Sequence, residues 1–297
     1  MTLGTSLTGA TLNAVAVPAP RLAGAAACAL FRRPVQRGRV RSVERPVHEA
    51  AVVGRLRVDG VNVATYRWGE GASPVLLMHG WQSRASRFAA FIPRLQALGY
   101  TPVGFDAPGH GDSEGKTTTI LQYRDIAAQL QEQHGPFDSV LANSFGVACA
   151  FLALRSGVQA RRLVAVSGVC DFAYLLDGFC GALGAGDRVR EGLRRRLETR
   201  LFAAEPGFWD RFSASYQPDE VAAEILAIHD EQDPVVPLAQ SERIVAAYGD
   251  RARLVTTRGL GHRSVLTDPG VLETALDFLT APAAACGAGG LAADRRG

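Results

Sequence analysis

The sequence predicts an α/β fold in which a mostly parallel central sheet carries helices on both faces. Short apolar segments with the character of strands alternate with longer segments of helical periodicity over most of the chain. Such alternation is typical of parallel strands joined by crossover helices. One strand turns directly into an Ala-rich helix through a serine, Ser144, and acidic and histidine residues follow two later strands.

The elements begin with a hairpin. Residues 51–68 predict two alternating strands around Asp59-Gly60, a dipeptide typical of tight hairpin turns, and this antiparallel pair is expected at one edge of the sheet. Further strands are predicted near residues 75–78, 101–105, 139–142, 162–167, 224–229 and 253–257. Helices are predicted near residues 84–98, 119–134, 145–156, 238–248 and 270–280.

The predicted domain organisation has three parts. Residues 1–48 are an N-terminal extension, helical or partly disordered, residues 49–280 are the α/β domain, and the Ala/Gly-rich residues 281–297 are a disordered tail. Within the domain, residues 170–218 interrupt the alternation and predict a short helical lid. It contains an Arg-rich helix, Asp187–Phe202, whose arginines we interpret mainly as a solvated face. Because a lid covers the site, we expect it to govern specificity.

Two serines match the pattern small-x-Ser-x-Gly, which is weak evidence when taken alone. Gly111-Asp-Ser113-Glu-Gly115 fits the letters better than Ala142-Asn-Ser144-Phe-Gly146. Only Ser144 has a strand before it and a helix after it, the context of a nucleophile elbow that exposes a serine hydroxyl on a sharp turn. We therefore predict Ser144 as the nucleophile and Ser113 as a loop residue.

A serine nucleophile needs a base and a carboxylate that orients the base. Asp233 lies in a turn-rich loop after the predicted strand 224–229, and His262 follows the predicted strand 253–257. We predict Asp233 as the acid and His262 as the base. Asp230 remains an alternative acid, because loop geometry is not fixed at single-residue precision, and Asp171 after strand 162–167 is a further candidate.

An oxyanion hole needs two backbone N–H groups near the serine. Phe145 follows Ser144 directly, and Trp81 follows the first central strand in the run His79-Gly80-Trp81. We predict that the N–H groups of Phe145 and Trp81 form this hole. We expect the remaining polar loop residues to shape the backbone or to be buried and hydrogen-bonded rather than to act in catalysis: His79, Asp106, His110 and His229.

The residues carry a resemblance to serine hydrolases of the α/β-hydrolase fold, in the esterase, lipase and acyl-hydrolase group. Five matching pieces occur in the family's order and cover about residues 50 to 280. They are the segments 75–80, 104–113, the Ser144 elbow, 233–237 and 259–262. The resemblance implies the triad Ser144, Asp233 and His262, with Trp81 and Phe145 at the oxyanion hole. Ala142 and Asn143 depart from the residues usual before this serine, which bears on substrate preference.

Composition excludes several other classes of function. The 297 residues carry a formal net charge of +3 and no nucleic-acid-binding motif, so we predict no nucleic-acid partner. Five cysteines without paired spacing argue against a disulfide framework and for a reducing, cytoplasmic location. No C-x-x-C motif or histidine cluster indicates a metal, and the predicted chemistry needs no cofactor.

The N-terminal region holds one further pattern. Residues 22–31 form an apolar run that is too short to span a bilayer, and arginines follow it. A helix packed on the domain is one interpretation, and a weak contact with a membrane surface is the alternative.

These observations predict a serine hydrolase that cleaves a carboxylic ester or thioester through an acyl-enzyme intermediate. An acyltransferase or a carbon–carbon bond hydrolase with the same triad is an alternative. A non-catalytic small-molecule binder on the same fold is another, since a fold alone does not fix function.

Overall fold

A computed structural model describes residues 3–281, and the predicted α/β fold class is confirmed. The predicted tail 281–297 lies outside the described residues except for its first position. In the described part, eight strands form one sheet in the order β1-β2-β4-β3-β5-β6-β7-β8. The strands are β1 Val52–Val58, β2 Val61–Arg67, β3 Ser73–Met78, β4 Tyr100–Phe105, β5 Phe137–Asn143, β6 Ala160–Val166, β7 Glu224–Asp230 and β8 Ala252–Thr257.

The first two strands form the predicted hairpin at the edge of the sheet. Val58 pairs with Val61, so only Asp59 and Gly60 connect the strands. Both connecting residues have positive φ, 49° and 78°, as the favoured two-residue hairpin turn requires. β2 pairs antiparallel with β4, and all pairs from β4 to β8 across the sheet are parallel. The carboxyl ends of these parallel strands therefore meet at one edge.

The helices predicted near residues 119–134, 145–156, 238–248 and 270–280 are each found close to the predicted position. The helices in the described part of the chain are α1 Leu3–Ala16, α2 Pro20–Phe31, α3 Arg45–Glu49, α4 Ile92–Ala97, α5 Ile120–His134, α6 Phe145–Arg155, α7 Phe172–Leu183, α8 Asp187–Arg196, α9 Phe208–Arg211, α10 Ala239–Tyr248, α11 Gly261–Ser264 and α12 Pro269–Thr280.

Two predicted helices are shorter than expected. The prediction for residues 84–98 is replaced by a 3₁₀ turn, Ala85–Phe88, followed by the separate helix α4. Pro93 lies in the first turn of α4, where its missing N–H is tolerated, whereas inside a continuous helix it would break the hydrogen-bond ladder. The Arg-rich helix predicted for residues 187–202 ends at Arg196 and continues as a wider π-type turn, Leu197–Leu201.

Alternate residues along the central strands enter two apolar cores on opposite faces of the sheet. Leu76 and Val140 join a core that includes α5, α6, the lid helices and the buried sides of α1 and α2. Leu77 and Leu141 join the other core, with α4 and α12. Helices therefore pack on both faces of the sheet and support the carboxyl ends of its parallel strands.

Helices α1 and α2 pack on α7 and α8, in the insertion between β6 and β7. Asn13 in α1 accepts a hydrogen bond from the N–H of Gly186 and donates one to the carbonyl of Gly184, between α7 and α8. Phe31 at the end of α2 packs edge-to-face on Phe179 of α7. In residues 3–281 we find no helix with both the length and the hydropathy needed to cross a bilayer.

Candidate active site

Ser144 occupies the turn between β5 and α6 in a strained backbone conformation. Its φ and ψ are 56° and −122°, a region that non-glycine residues rarely adopt. The turn leaves no space for larger neighbours. A Cβ atom at Gly146 would overlap the carbonyl oxygen of Met78, and one at Gly80 would lie 2.8 Å from the Cβ of Ser144. The small residues therefore permit the close strand-to-helix passage that a nucleophile elbow requires.

Three predicted site residues meet at the carboxyl edge of the sheet. His262 lies in α11 after β8, and its Nε2 is 3.1 Å from Ser144 Oγ. Its Nδ1 is 2.6 Å from Asp233 Oδ2. An ionised carboxylate only accepts hydrogen bonds, so this arrangement assigns the imidazole proton to Nδ1. Nε2 is then free to accept the hydroxyl proton of Ser144.

Asp233 is held as an ionised, buried carboxylate. Its side chain has no exposed surface, and its Oδ1 accepts hydrogen bonds from the N–H groups of Val235 and Val236. Burial by itself would raise the pKa of this carboxyl. The hydrogen bonds from His262 and from the two N–H groups outweigh burial and keep the pKa below its usual value. The carboxylate is therefore suited to orient and stabilise a protonated imidazole.

Asp230, the alternative acid, connects two loops instead of contacting His262. It is fully buried at the end of β7. Its Oδ1 accepts from the N–H of Gln232, and its Oδ2 accepts from the Thr257 hydroxyl and from the N–H of Leu260. Burial would raise the pKa of Asp230, but these hydrogen bonds lower it. Asp230 thus joins the loop that carries Asp233 to the loop that carries His262.

Two other sequence candidates have structural partners away from His262. Asp171 accepts from the N–H of Ala173 as the N-cap of α7, and its second oxygen pairs with Arg243. His229 is buried as predicted, with Nδ1 against the Ser241 hydroxyl and Nε2 donating to the carbonyl of Val236.

The candidate oxyanion groups come from the start of α6 and from the segment that follows β3. Phe145 is the first residue of α6, and N–H groups in the first turn of a helix have no intrahelical acceptor. Trp81 follows Gly80, whose backbone lies against Ser144. The rings of Trp81 and Phe145 pack edge-to-face with centroids 5.8 Å apart. The role of the two N–H groups in binding an oxyanion stays a prediction.

A hydrogen bond to a histidine ring stabilises the loop that carries Trp81. Gln82 adopts a left-handed φ of 54°, and its N–H donates to Nε2 of His110 over 3.1 Å. Nδ1 of His110 faces the carbonyl of Pro108, so the ring is neutral with its proton on Nδ1. Burial, together with the nearby His79, lowers the pKa of His110 to about 3.

The ring of His79 stabilises a neighbouring loop through a hydrogen bond of the same kind. Its Nε2 accepts from the N–H of Ala107 over 3.0 Å, and its Nδ1 lies 2.7 Å from the carbonyl oxygen of Gly80. Burial lowers the pKa of His79 to about 4. The prediction that His79 and His110 shape the backbone is therefore confirmed by their hydrogen bonds.

Ser113 is buried, and the hydrogen-bond partners of its hydroxyl are backbone groups of other residues than Ser144, Asp233 and His262. Its hydroxyl accepts from the N–H of Ala64 and donates to the carbonyl of Asp106. The Asp106 carboxylate accepts from the N–H groups of Ala85 and Asp112 and from the Tyr66 hydroxyl, as expected of a residue that holds its own loop.

Sequence reasoning missed one buried residue of this network, Arg84. Its guanidinium pairs with Asp112 and with Asp106, and it donates to the Tyr66 hydroxyl. The residue lay at the start of a predicted helix, where an arginine is ordinarily solvated. Its partners are distant in sequence, so no local pattern could identify its role.

The residues at the site do not form a metal centre. Across positions 3–281, no group of three or more histidine, cysteine or acidic side chains is arranged to hold a metal ion.

Comparison with known proteins agrees with this fold. The model of the Alpha/beta hydrolase family matches residues 75–275, more than half of the chain, and the chain belongs to this family. Family membership supports a hydrolytic activity. An 80-residue segment is 35% identical to the dihydrolipoyllysine-residue acetyltransferase component of the acetoin cleaving system of Cupriavidus necator. That match covers 26% of this chain and spans about a fifth, 21%, of the relative.

Solved structures extend the likeness to the whole fold. An esterase from Exiguobacterium antarcticum aligns with a TM-score of 0.57 at 17% identity, over 76% of this chain and 98% of its own. A membrane phospholipase A, described as a bacterial virulence factor, aligns with a TM-score of 0.60 at 18% identity. This second alignment covers 93% of this chain and 96% of the other. At these identities the likeness shows the fold.

Proposed function

We propose that the protein is a serine hydrolase that cleaves a carboxylic ester or thioester through an acyl-enzyme intermediate. The observation that carries the proposal is the position of the His262 ring between two partners. One nitrogen lies within hydrogen-bond distance of Ser144 Oγ, and the other lies against the buried Asp233 carboxylate. A neutral base of this kind can activate a serine hydroxyl.

The first half of the reaction acylates Ser144. Its Oγ attacks the acyl carbon while His262 Nε2 takes the hydroxyl proton, and Asp233 stabilises the imidazolium. The negative oxygen of the tetrahedral intermediate accepts hydrogen bonds from the N–H groups of Phe145 and Trp81. Collapse of the intermediate breaks the bond to the alcohol or thiol, which leaves with the proton from His262.

The second half returns the enzyme to its resting state. His262 takes a proton from a water molecule, whose oxygen attacks the acyl carbon of the ester on Ser144. Collapse of the second intermediate releases the carboxylic acid and gives the proton back to Ser144 Oγ. No external oxidant, reductant or cofactor is needed for either half.

The similar structures favour an acyl substrate. One of them is an esterase, and another is a phospholipase A. The partly exposed ring of Trp81, which packs on the buried ring of Phe145, offers an apolar surface for an acyl chain. The substrate is thus expected to be a small molecule with an apolar acyl group.

Steady-state hydrolysis of p-nitrophenyl esters of short and medium acids tests the proposal, with a matched acyl thioester in parallel. We expect turnover by the wild-type chain and none above background by Ser144→Ala. Product analysis in the presence of an alcohol acceptor separates hydrolysis from acyl transfer. Equal turnover by wild type and Ser144→Ala would contradict the mechanism, and no turnover of any acyl substrate by either would favour a binding protein.

A further inference from the structure

The N-terminal helices α1 and α2 are firmly packed on one side. A Cβ atom at Gly9 of α1 would overlap the carbonyl of Leu183, and one at Gly24 of α2 would lie 2.6 Å from the carbonyl carbon of Gly192. The two helices therefore approach α7 and α8 at backbone distance. Their buried side chains belong to the same core as the lid. They are Leu12, Ala16, Ala23, Ala27 and Cys28.

The opposite side of the pair is exposed and apolar. Leu7, Val17 and Leu22 expose 71%, 66% and 63% of their surface. The exposed positions from residue 7 to residue 17, along α1 and one residue beyond its end, recur at helical spacing, and none of them is charged. The solvated face of an amphipathic helix normally carries polar and charged side chains. We use the name N-terminal face for the exposed residues Leu7, Val17, Arg21, Leu22 and Arg33 of this helix pair and of the segments that follow each helix.

Within residues 1–43 the charge has a single sign, whereas the adjoining helix α8 carries exposed Asp187 and Glu191 as well as arginines. Residues 1–43 contain no aspartate or glutamate and six arginines. Arg32 and Arg37 are used inside the fold, since they donate to Thr117 and to the carbonyl of Ser113. Arg21 and Arg33 are exposed. Arg196 of the lid helix α8 is also exposed and is close enough to α2 to act electrostatically on Cys28.

Exposed leucine and valine side chains beside arginines fit one kind of partner well. Apolar side chains can enter the headgroup region of a bilayer while neighbouring arginines pair with anionic lipids. A nucleic acid would use the arginines but would leave the apolar residues in water. We propose that the N-terminal face docks the protein on an anionic membrane surface. This contact is peripheral, reversible and weakened by salt.

Docking would also fix the position of the lid. Because α1 and α2 pack directly on α7 and α8, a membrane that holds the helix pair also holds the insertion between β6 and β7. That insertion lies at the carboxyl edge of the sheet, where Ser144 is found. The proposal goes beyond the proposed function and does not depend on catalysis.

Vesicle flotation of the full chain tests the proposal. Vesicles of phosphatidylcholine alone are compared with vesicles that also contain phosphatidylglycerol, for the wild type and for Ser144→Ala. We expect both proteins to float with the anionic vesicles and to be released as salt is raised. The double variants Leu7→Glu/Leu22→Glu and Arg21→Glu/Arg33→Glu should each weaken binding about tenfold or more. Thermal unfolding checks that the variants remain folded.

The matched control is Leu98→Glu, which changes an exposed leucine beside the core on the opposite face of the sheet. It should float like the wild type. Absence of flotation, or equal loss in Leu98→Glu and Leu7→Glu/Leu22→Glu, would overturn the proposal. A third outcome is that the wild type forms a dimer and does not bind vesicles, while Leu7→Glu/Leu22→Glu is a monomer. That outcome would assign the N-terminal face to self-association and would also overturn the proposal.

Discussion

Ser144 and Ser113 share a sequence pattern, but they differ in the hydrogen-bond partners of their hydroxyl groups and in the structure that surrounds them. The Ser113 hydroxyl lies in a buried loop, where it both accepts from Ala64 and donates to Asp106. The Ser144 hydroxyl lies on a strained turn with His262 Nε2 as its partner. In the first region the polar groups satisfy one another and fix the backbone. In the second they leave a proton acceptor and a nucleophile facing each other.

The sharpest test of this difference exchanges each serine for alanine. Ser144→Ala should reduce kcat by about 10⁴-fold or more, because the nucleophile is lost, and should leave the fold intact. Ser113→Ala should retain most activity but lower the free energy of unfolding by about 1–3 kcal/mol, because a buried N–H loses its acceptor. Ester kinetics and chemical denaturation measure the two effects. The reverse result would assign the nucleophile to the wrong serine.

The second test contrasts two carboxylates three residues apart. Asp233→Asn should lower kcat about 10³- to 10⁴-fold, because an amide favours the wrong imidazole tautomer. Asp230→Asn should cost about tenfold in kcat through displacement of the His262 loop, since small displacements are sufficient to slow catalysis. Its larger effect should be on stability. Equal kinetic losses would contradict the assignment of Asp233 as the only triad acid.

The third test concerns His110 and the loop that carries Trp81. His110→Ala leaves the Gln82 N–H without its acceptor, so we expect kcat to fall about 10- to 100-fold as the oxyanion loop shifts. The matched control is His134→Ala at the end of α5, which should behave like the wild type. If both variants keep full kcat, His110 is not needed to position the loop.

The fourth test concerns stability at acid pH rather than activity. Burial lowers the pKa of His79 from 6.5 to about 4 in the folded protein. The unfolded chain therefore binds a proton first, and the free energy of unfolding decreases as pH falls from about 6.5 to about 4, by about 3 kcal/mol for this residue. Denaturation at several pH values should show a shallower dependence in His79→Gln. An unchanged dependence would mean that His79 is not held neutral.

Much of the sheet was predictable because its determinants are local. The Asp59-Gly60 turn, the apolar strands and the junction at Ser144 each depend on a few consecutive residues. The break before α4 differs from the continuous helix predicted for residues 84–98, because Pro93 fits only the first turn of a helix. The packing of α1 and α2 on α7 and α8 depends on contacts of glycines with residues far away in the sequence. A local sequence pattern does not predict such contacts.

The same distinction applies to the candidate site. The order of serine, acid and histidine indicated which residues to consider, and the structure brings Ser144, Asp233 and His262 within hydrogen-bond distance. The choice between Asp233 and Asp230 required the orientation of their loops. Arg84 could not be recognised, because its role depends on carboxylates and a tyrosine from other elements.

Labelling with a fluorophosphonate followed by peptide mapping tests the central claim most directly. The reagent reacts with an activated serine hydroxyl, so we expect one modified residue, Ser144, and no labelling in Ser144→Ala or after denaturation. Ser113→Ala should label like the wild type. Labelling of Ser113, or no labelling of a folded protein that still hydrolyses esters, would contradict the account.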